Sequence, residues 1–263
     1  MTGTPVGPTA MRVTILPAST SGQPLQLFTT YLVDGVLAID AGSLGLWGTA
    51  EEQARVKHVF LTHAHLDHIA SLPPWLDAVY DGSGDCPVVH GPAHTLECLK
   101  QDVFNNRLFP DFLHISTIRP PYLKLAEAEP GKPMQAGRFK VTPVAVDHVV
   151  PTVGYVVEDE EGAAVFPSDT APTEEIWKVA AATGKPLTVF LECTFPESMA
   201  WLAGIAKHLT PSLFAAETRK LGKKARWVTV HVHPRHRATV LAELEALGVE
   251  GVEEGKFGVA YAV

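Results

Sequence analysis

The segment His58-Val-Phe-Leu-Thr-His63-Ala-His65-Leu-Asp67-His68-Ile constrains this chain more than any other. An apolar run of strand length enters a turn that carries three histidines and an aspartate within six residues. His63 and His65 are two apart, so in extended chain their rings point to one side. Two imidazoles set close together on one side suit a borderline metal ion. Asp67 and His68 follow as the chain turns into a helix, and face a second position nearby. A lone histidine here reads as a cap or turn residue. Three imidazoles and a carboxylate have little structural use together, and such crowding marks a site.

Around this turn the chain alternates short strands with helices. Apolar runs rich in Val, Ile, Phe and Thr predict strands at Arg12–Leu16, Thr30–Val33, Val36–Asp40, Val59–Thr62, Pro87–His90, Lys140–Val146, Tyr155–Glu158, Ala164–Ser168, Leu187–Leu191 and Trp227–Val232. Helices are predicted over Ile69–Asp81, Ala93–Val103, Thr173–Ala182, Pro211–Leu221 and Thr239–Leu247. The fourth is punctuated by Thr210 as cap, Pro211 in the first turn and Gly222 after the last. Hairpins come first and strand–helix alternation after, which predicts mixed sheets covered by helices, an α/β (α+β) architecture. Residues 1–10 read as a disordered lead-in with Met11 as a candidate start, and residues 11–263 as one domain.

Further motifs follow in order. Val144-Ala-Val-Asp-His148, Phe166-Pro-Ser-Asp169-Thr170 and Trp227-Val-Thr-Val-His231 each place a His or Asp at the C-terminal end of a predicted strand. With Thr62-His63-Ala64-His65-Leu66-Asp67-His68 they resemble the metallo-β-lactamase-fold hydrolases, whose fold is a four-layer αββα sandwich with a dinuclear metal site at the sheet edge. The resemblance implies that His63, His65 and His148 hold one divalent ion, that Asp67, His68 and His231 hold a second, and that Asp169 bridges them. Zinc is the default ion, with manganese and iron as alternatives.

Within that family the chain is similar to the class II cyclic nucleotide phosphodiesterases, through His65-Leu-Asp-His-Ile, Val89-His-Gly-Pro, Val103-Phe-Asn-Asn-Arg-Leu-Phe-Pro-Asp-Phe112, Asp147-His-Val-Val-Pro-Thr-Val-Gly-Tyr155, Leu191-Glu-Cys-Thr-Phe195 and His208-Leu-Thr-Pro211. It departs at Pro73-Pro74-Trp75, at Ser168 where glycine is usual, and at His233 where lysine is common. Glu192 and His208 resemble a pair in ribonuclease Z that serves the scissile phosphate and leaving group. Structural readings also stand, with Glu192 a strand-end carboxylate and His208 a neighbour of a helix start. The branch implies hydrolysis of 3′,5′-cyclic AMP or GMP to the 5′-nucleotide by a metal-bridged hydroxide, with Asp67 as base and His208 and Glu192 serving the leaving group. A ribonuclease Z-like enzyme, an ester or lactone hydrolase, and a non-catalytic metal-binding scaffold are the alternatives.

Composition bounds the partners. With 21 Lys+Arg against 29 Asp+Glu the net charge is -8, which argues against broad nucleic-acid or anionic-membrane binding. No apolar run reaches membrane-spanning length and no signal peptide is evident. Three cysteines without a C-x-x-C fit a reducing cytoplasm. A small-molecule substrate is expected, and a homodimer is compatible with it. His90, His94 and His114 read as surface or capping residues, His233 and His236 as neighbours of the site. Trp75, Phe109 and Phe112 read as core, or as faces for a purine to stack on.

Overall fold

The computed structural model describes residues 10–17 and 28–263. Among the described residues, two seven-stranded mixed sheets face each other. The first contains β1 (Arg12–Ile15), β2 (Tyr31–Val33), β3 (Leu37–Ile39), β4 (His58–Phe60), β5 (Val88–Gly91), β6 (Lys124–Glu127) and β14 (Ala260–Ala262), in the order β14-β1-β2-β3-β4-β5-β6. The second contains β7 (Met134–Ala136), β8 (Phe139–Val146), β9 (Thr152–Glu158), β10 (Ala163–Ser168), β11 (Leu187–Glu192), β12 (Arg226–Val230) and β13 (Val252–Glu254), in the order β13-β12-β11-β10-β9-β8-β7. Each sheet is antiparallel over its hairpins and parallel where helices intervene.

Period-two patterning builds the layers. Along β2, Tyr31 and Val33 face the second sheet while Leu32 faces outward; Phe60 points inward between Val59 and Leu61, which point out. The inward set meets Phe139, Val141, Tyr155, Val157, Phe166 and Phe190 of the second sheet. The outward set of the first sheet packs on α3 (Leu72–Val79), α4 (Ala93–Cys98) and α5 (Phe112–Ile118). That of the second sheet packs on α6 (Glu175–Ala182), α8 (Pro211–Lys220) and α9 (Arg237–Ala246). The result is the expected αββα sandwich. Truncating an inner phenylalanine such as Phe60, fully buried, should cost about 3–5 kcal/mol.

All ten expected strands form. The expected helix at Ile69–Asp81 divides into α2 (Leu66–Ile69) and α3, because Pro73 and Pro74 lack N–H groups and fit only a first turn. Ala93–Val103 continues from α4 into a π-helical turn over Leu99–Val103. Thr210 occupies the N-cap position of α8, yet its side chain makes no capping bond. Short α1 (Ala50–Gln53) and α7 (Ala200–Ala206) complete the helices that bear on the argument. Of the expected lead-in, residues 1–9 lie outside the described residues and Ala10 is exposed.

Candidate metal centre

The sequence-identified site residues sit at or just beyond the C-terminal ends of strands, at one edge of the sandwich, except His208, which lies between α7 and α8. β8 and β10 both pair antiparallel with β9, so they run the same way, and β11 and β12 run parallel to β10. His148, Asp169, Glu192 and His231 therefore emerge at one edge. Tyr155 Oη donates to Leu61 O at 2.8 Å, and Val153 N donates to Thr62 O at 3.1 Å, which ties that edge to the turn bearing His63.

The local backbone is unusual here. Asp40, Ser168 and His231 have φ of 60°, 63° and 52°, left-handed values that side chains seldom adopt. At Ser168 this follows a shift in β10–β11 register, a bulge that re-aims Asp169. The left-handed φ also explains the preference for glycine before this aspartate. Gly42 serves another need. A Cβ there would lie 1.9 Å from Asp67 O, so only glycine lets the turn carrying Asp67 and His68 rest on this loop.

Three groups of ligand atoms converge among the described residues, each with its atoms within 4.8 Å of one another. His63, His65, His148 and Asp169 form the first, Asp67, His68, Asp169 and His231 the second, and Glu192, His208 and His231 the third. In the first, His65 Nδ1 lies 3.0 Å from His63 Nε2 and 3.4 Å from His148 Nε2. Asp169 Oδ2 lies 3.8 Å from His63 Nε2 and 3.4 Å from His68 Nε2, while its Oδ1 lies 3.5 Å from His231 Nε2. Asp67 Oδ2 is 3.5 Å from His68 Nε2 and 3.2 Å from His231 Nε2. A tetrahedral ion with bonds of about 2.0–2.1 Å needs ligand–ligand edges of about 3.3 Å. The cluster has that spacing. His68 Nε2 is buried with no hydrogen-bond partner, which a cation would supply.

The opposite ring nitrogens are held. His63 Nδ1 meets Thr62 Oγ1 at 3.0 Å, His68 Nδ1 meets Asp40 Oδ2 at 2.7 Å, His148 Nδ1 meets Lys207 O at 3.2 Å and His231 Nδ1 meets Thr194 Oγ1 at 3.1 Å. Outer contacts of this kind fix ring orientation and tautomer. Asp40 was not singled out from the sequence, although it ends an apolar run as Asp169 does. Its Oδ1 also accepts from Thr62 N at 2.8 Å.

Electrostatics separates the two halves. Burial holds the imidazoles of His63, His65 and His148 below their usual pKa, so they are neutral donors of electron pairs. Burial opposes charge on His68 and His231 as well, but Asp169 with Asp40 or Asp67 overcomes it, raising His68 and pushing His231 up to about 9. Burial would raise Asp169, yet the facing His231 and His68 hold it well below the carboxylate range. The carboxylates call for positive charge, and a divalent cation meets that demand.

Beside this cluster, Glu192 is almost wholly buried and accepts four hydrogen bonds. Its Oε1 takes Thr170 N at 2.8 Å and His208 Nδ1 at 2.9 Å; its Oε2 takes Leu209 N at 3.1 Å and Thr194 Oγ1 at 2.7 Å. A carboxylate so enclosed is placed to orient its neighbours, the His208 ring among them. Burial opposes charge on His208, but Glu192 outweighs it and raises the imidazole. The His208 ring lies 5.6 Å from that of His231 and 5.2 Å from that of His148.

Other residues fall outside the centre. His94 and His114 are exposed. His90 is buried, stacked on Phe60 at 4.2 Å and 3.1 Å from His58, so the surface reading fails for it. Trp75 of α3 and Phe112 of α5 are buried in the core between helices and sheet, out of reach of a purine, and Phe109, half-buried, packs against that core. His233 is exposed and stacks on Phe195 at 5.9 Å, with His236 5.0 Å away. Cys193 is buried, and Cys86 and Cys98 are half-buried.

Comparison with known proteins accords with this geometry. Residues 29–233 match the family model described as beta-lactamase superfamily domain. Ribonuclease Z of Listeria innocua serovar 6a is 32% identical over 114 residues, covering 42% of this chain and 34% of that protein. Ribonuclease Z of Mycobacterium bovis is 27% identical over 168 residues, covering 57% and 56%. The chain thus spans between 34% and 56% of the length of these curated relatives. Among solved structures, unliganded yeast PDE1 superposes with a TM-score of 0.80 at 18% identity, covering 97% of this chain and 100% of that one. The short form of human tRNase Z superposes with a TM-score of 0.66 at 15% identity, covering 95% and 98%. These structural likenesses concern the fold, and the family match spans most of the chain. With the αββα sandwich and the histidine–aspartate cluster in place, the chain belongs to the beta-lactamase superfamily and has its metallo-β-lactamase fold.

Proposed function

We propose that residues 11–263 form one metal-dependent phosphodiesterase domain that hydrolyses 3′,5′-cyclic nucleotides to 5′-nucleotides. The observation that carries this is the Glu192–His208 pair, at 2.9 Å, set directly beside the ligand cluster. A phosphodiester with an alkoxide leaving group needs a proton donor in that place, and hydrolysis of activated esters does not.

In this reading His63, His65 and His148 would hold one ion and Asp67, His68 and His231 a second, with Asp169 available to either. Divalent cations, zinc foremost, supply Lewis acidity toward phosphoryl oxygens and acidify water. The chain's own residues then do the rest. Asp67 is the carboxylate of the cluster that reaches solvent, its side chain 35% exposed against 4% for Asp169, so it takes the proton of the attacking water. His208, whose imidazole Glu192 raises against the opposing effect of burial, gives a proton to the departing 3′-oxygen. Glu192 holds the ring by its Nδ1 and thereby presents Nε2 to the substrate.

A ribonuclease Z-like activity is the second reading, favoured by the names of the curated relatives. The net charge of -8 favours a small substrate over a polyanion. Among the described residues no helix is long and apolar enough to cross a membrane, and we place the enzyme in the cytoplasm. The test is a turnover panel on the zinc-loaded full chain with cyclic AMP, cyclic GMP, a nitrophenyl phosphodiester, precursor transfer RNA and a lactone. Conversion of a cyclic nucleotide to its 5′-monophosphate is expected. Cleavage of precursor transfer RNA alone would move the assignment to the second reading, and lactone hydrolysis alone would displace both.

A further inference from the structure

Lys207 lies between two parts of the site that are distant in sequence. It ends α7 in a left-handed conformation, φ 55° and ψ 56°, where glycine is usual. His208 N donates back to Ala203 O at 2.9 Å, the six-to-one bond of a Schellman turn, which fixes where His208 leaves the helix. The same turn points Lys207 O at His148 Nδ1, 3.2 Å away. That bond selects the His148 tautomer whose Nε2 faces His65 Nδ1 at 3.4 Å. The ammonium group adds contacts to Asp147 Oδ1 at 2.6 Å and His148 O at 3.2 Å. Both charged side chains of that ion pair are more than a third exposed, 38% and 56%, so solvent weakens it.

We propose that the left-handed turn at Lys207 is a positioning device for this site, setting the His148 ring and the His208 ring together through the main chain. The inference rests on the metal reading above. It assigns the work to the backbone conformation and little to the lysine charge. A residue that accepts left-handed φ should therefore replace lysine, and a β-branched residue should not.

Lys207→Val and Lys207→Gly distinguish these. Zinc affinities of the metal-free full chain are measured by chelator competition, and kcat is compared between a cyclic nucleotide and a nitrophenyl phosphodiester. In Lys207→Val one of two ions should bind about tenfold or more weakly, the usual effect of losing an outer contact. The cyclic-nucleotide rate should also fall relative to the nitrophenyl rate. In Lys207→Gly both ions should bind within about threefold of wild type, by the same comparison with an outer contact retained. A valine variant that is less stable yet binds both ions as wild type does, with an unchanged rate ratio, would overturn the inference alone. Equal losses in both variants would also overturn it, because the lysine side chain would then carry the effect. A wild-type chain that takes up no zinc would overturn the metal reading and this inference together.

Discussion

Replacing His208 by alanine removes one proton donor and leaves intact the two ligand groups that share Asp169, since His208 belongs to neither. Glu192 keeps three of its four donors, Thr170 N, Leu209 N and Thr194 Oγ1, so its carboxylate stays satisfied. The loss to the fold is one hydrogen bond to a charged group, about 1.5–3 kcal/mol. The loss to catalysis depends on the leaving group. A nucleoside 3′-alkoxide leaves poorly without a proton, and a nitrophenolate leaves without one. His208→Ala should lower kcat for a cyclic nucleotide by about 10²–10⁴, or about 2.7–5.5 kcal/mol of barrier. A nitrophenyl phosphodiester should suffer much less. Glu192→Gln should show the same selectivity, but with a structural cost. Every neighbour of the carboxylate is a donor, so an amide nitrogen leaves a buried backbone N–H facing another donor, at about 1–3 kcal/mol. The pH profile carries a second signature. Glu192 raises the His208 imidazole, so the cyclic-nucleotide rate falls as pH climbs through that raised value. In Glu192→Gln this alkaline limb should move to lower pH. The assay is steady-state kcat on both substrates with bound zinc counted in each preparation. Equal loss on both substrates with metal retained would refute the proton-donor role and make His208 a phosphate-binding residue. Loss of metal would make it a ligand, with His231 wrongly assigned.

Elemental analysis should find about two transition-metal ions per chain, with His63→Ala and Asp169→Ala lowering both content and hydrolysis; full activity after exhaustive chelation would exclude the mechanism. Asp40→Asn, which weakens the hold on His68 Nδ1 while touching no ion, should loosen one of the two ions about 10–100-fold in chelator competition, and unchanged affinity would remove Asp40 from the site. His90 supplies a stability test away from the metals: burial pushes it from 6.5 down to about 4, so the unfolded chain takes up a proton that the fold refuses. Stability should therefore drop as pH falls from about 6.5 toward about 4, by roughly 2 kcal/mol between pH 7.5 and 5 and about 3 in full. In His90→Phe that contribution disappears, and denaturant midpoints whose difference from wild type stays flat across this range would contradict it.

Legibility in the sequence followed burial. The ten strands read from apolar runs are the interior strands of the two sheets. The four that were not foreseen, β6, β7, β13 and β14, are the four sheet edges. An edge strand pairs on one side and meets solvent, so Lys124-Leu-Ala-Glu127 or Val252-Glu-Glu254 needs no apolar run. α1, α5 and α7 were missed for a related reason, being short and packed at the periphery. Among single residues, His90 and Trp75 show the limit. A histidine or tryptophan beside apolar neighbours is equally legible as surface, core or stacking platform until the opposing layer is known.

What the sequence determined by itself was the layer pattern and the chemistry. Alternating apolar residues dictate two-faced sheets, and a turn with His63, His65, Asp67 and His68 gathers the donors of a candidate cation site, because both are set by neighbours in the chain. Tertiary structure alone decided how residues more than a hundred positions apart share that site. His231 meets Asp67 across 164 residues only because β12 and the turn after β4 end at the same edge. The parts played by Asp40, Glu192 and Lys207 were also decided there. Each acts through a hydrogen bond to a ring brought up by another segment, His68, His208 or His148. Such a bond has no local periodicity to record it, so it exists only once the strand ends have been assembled.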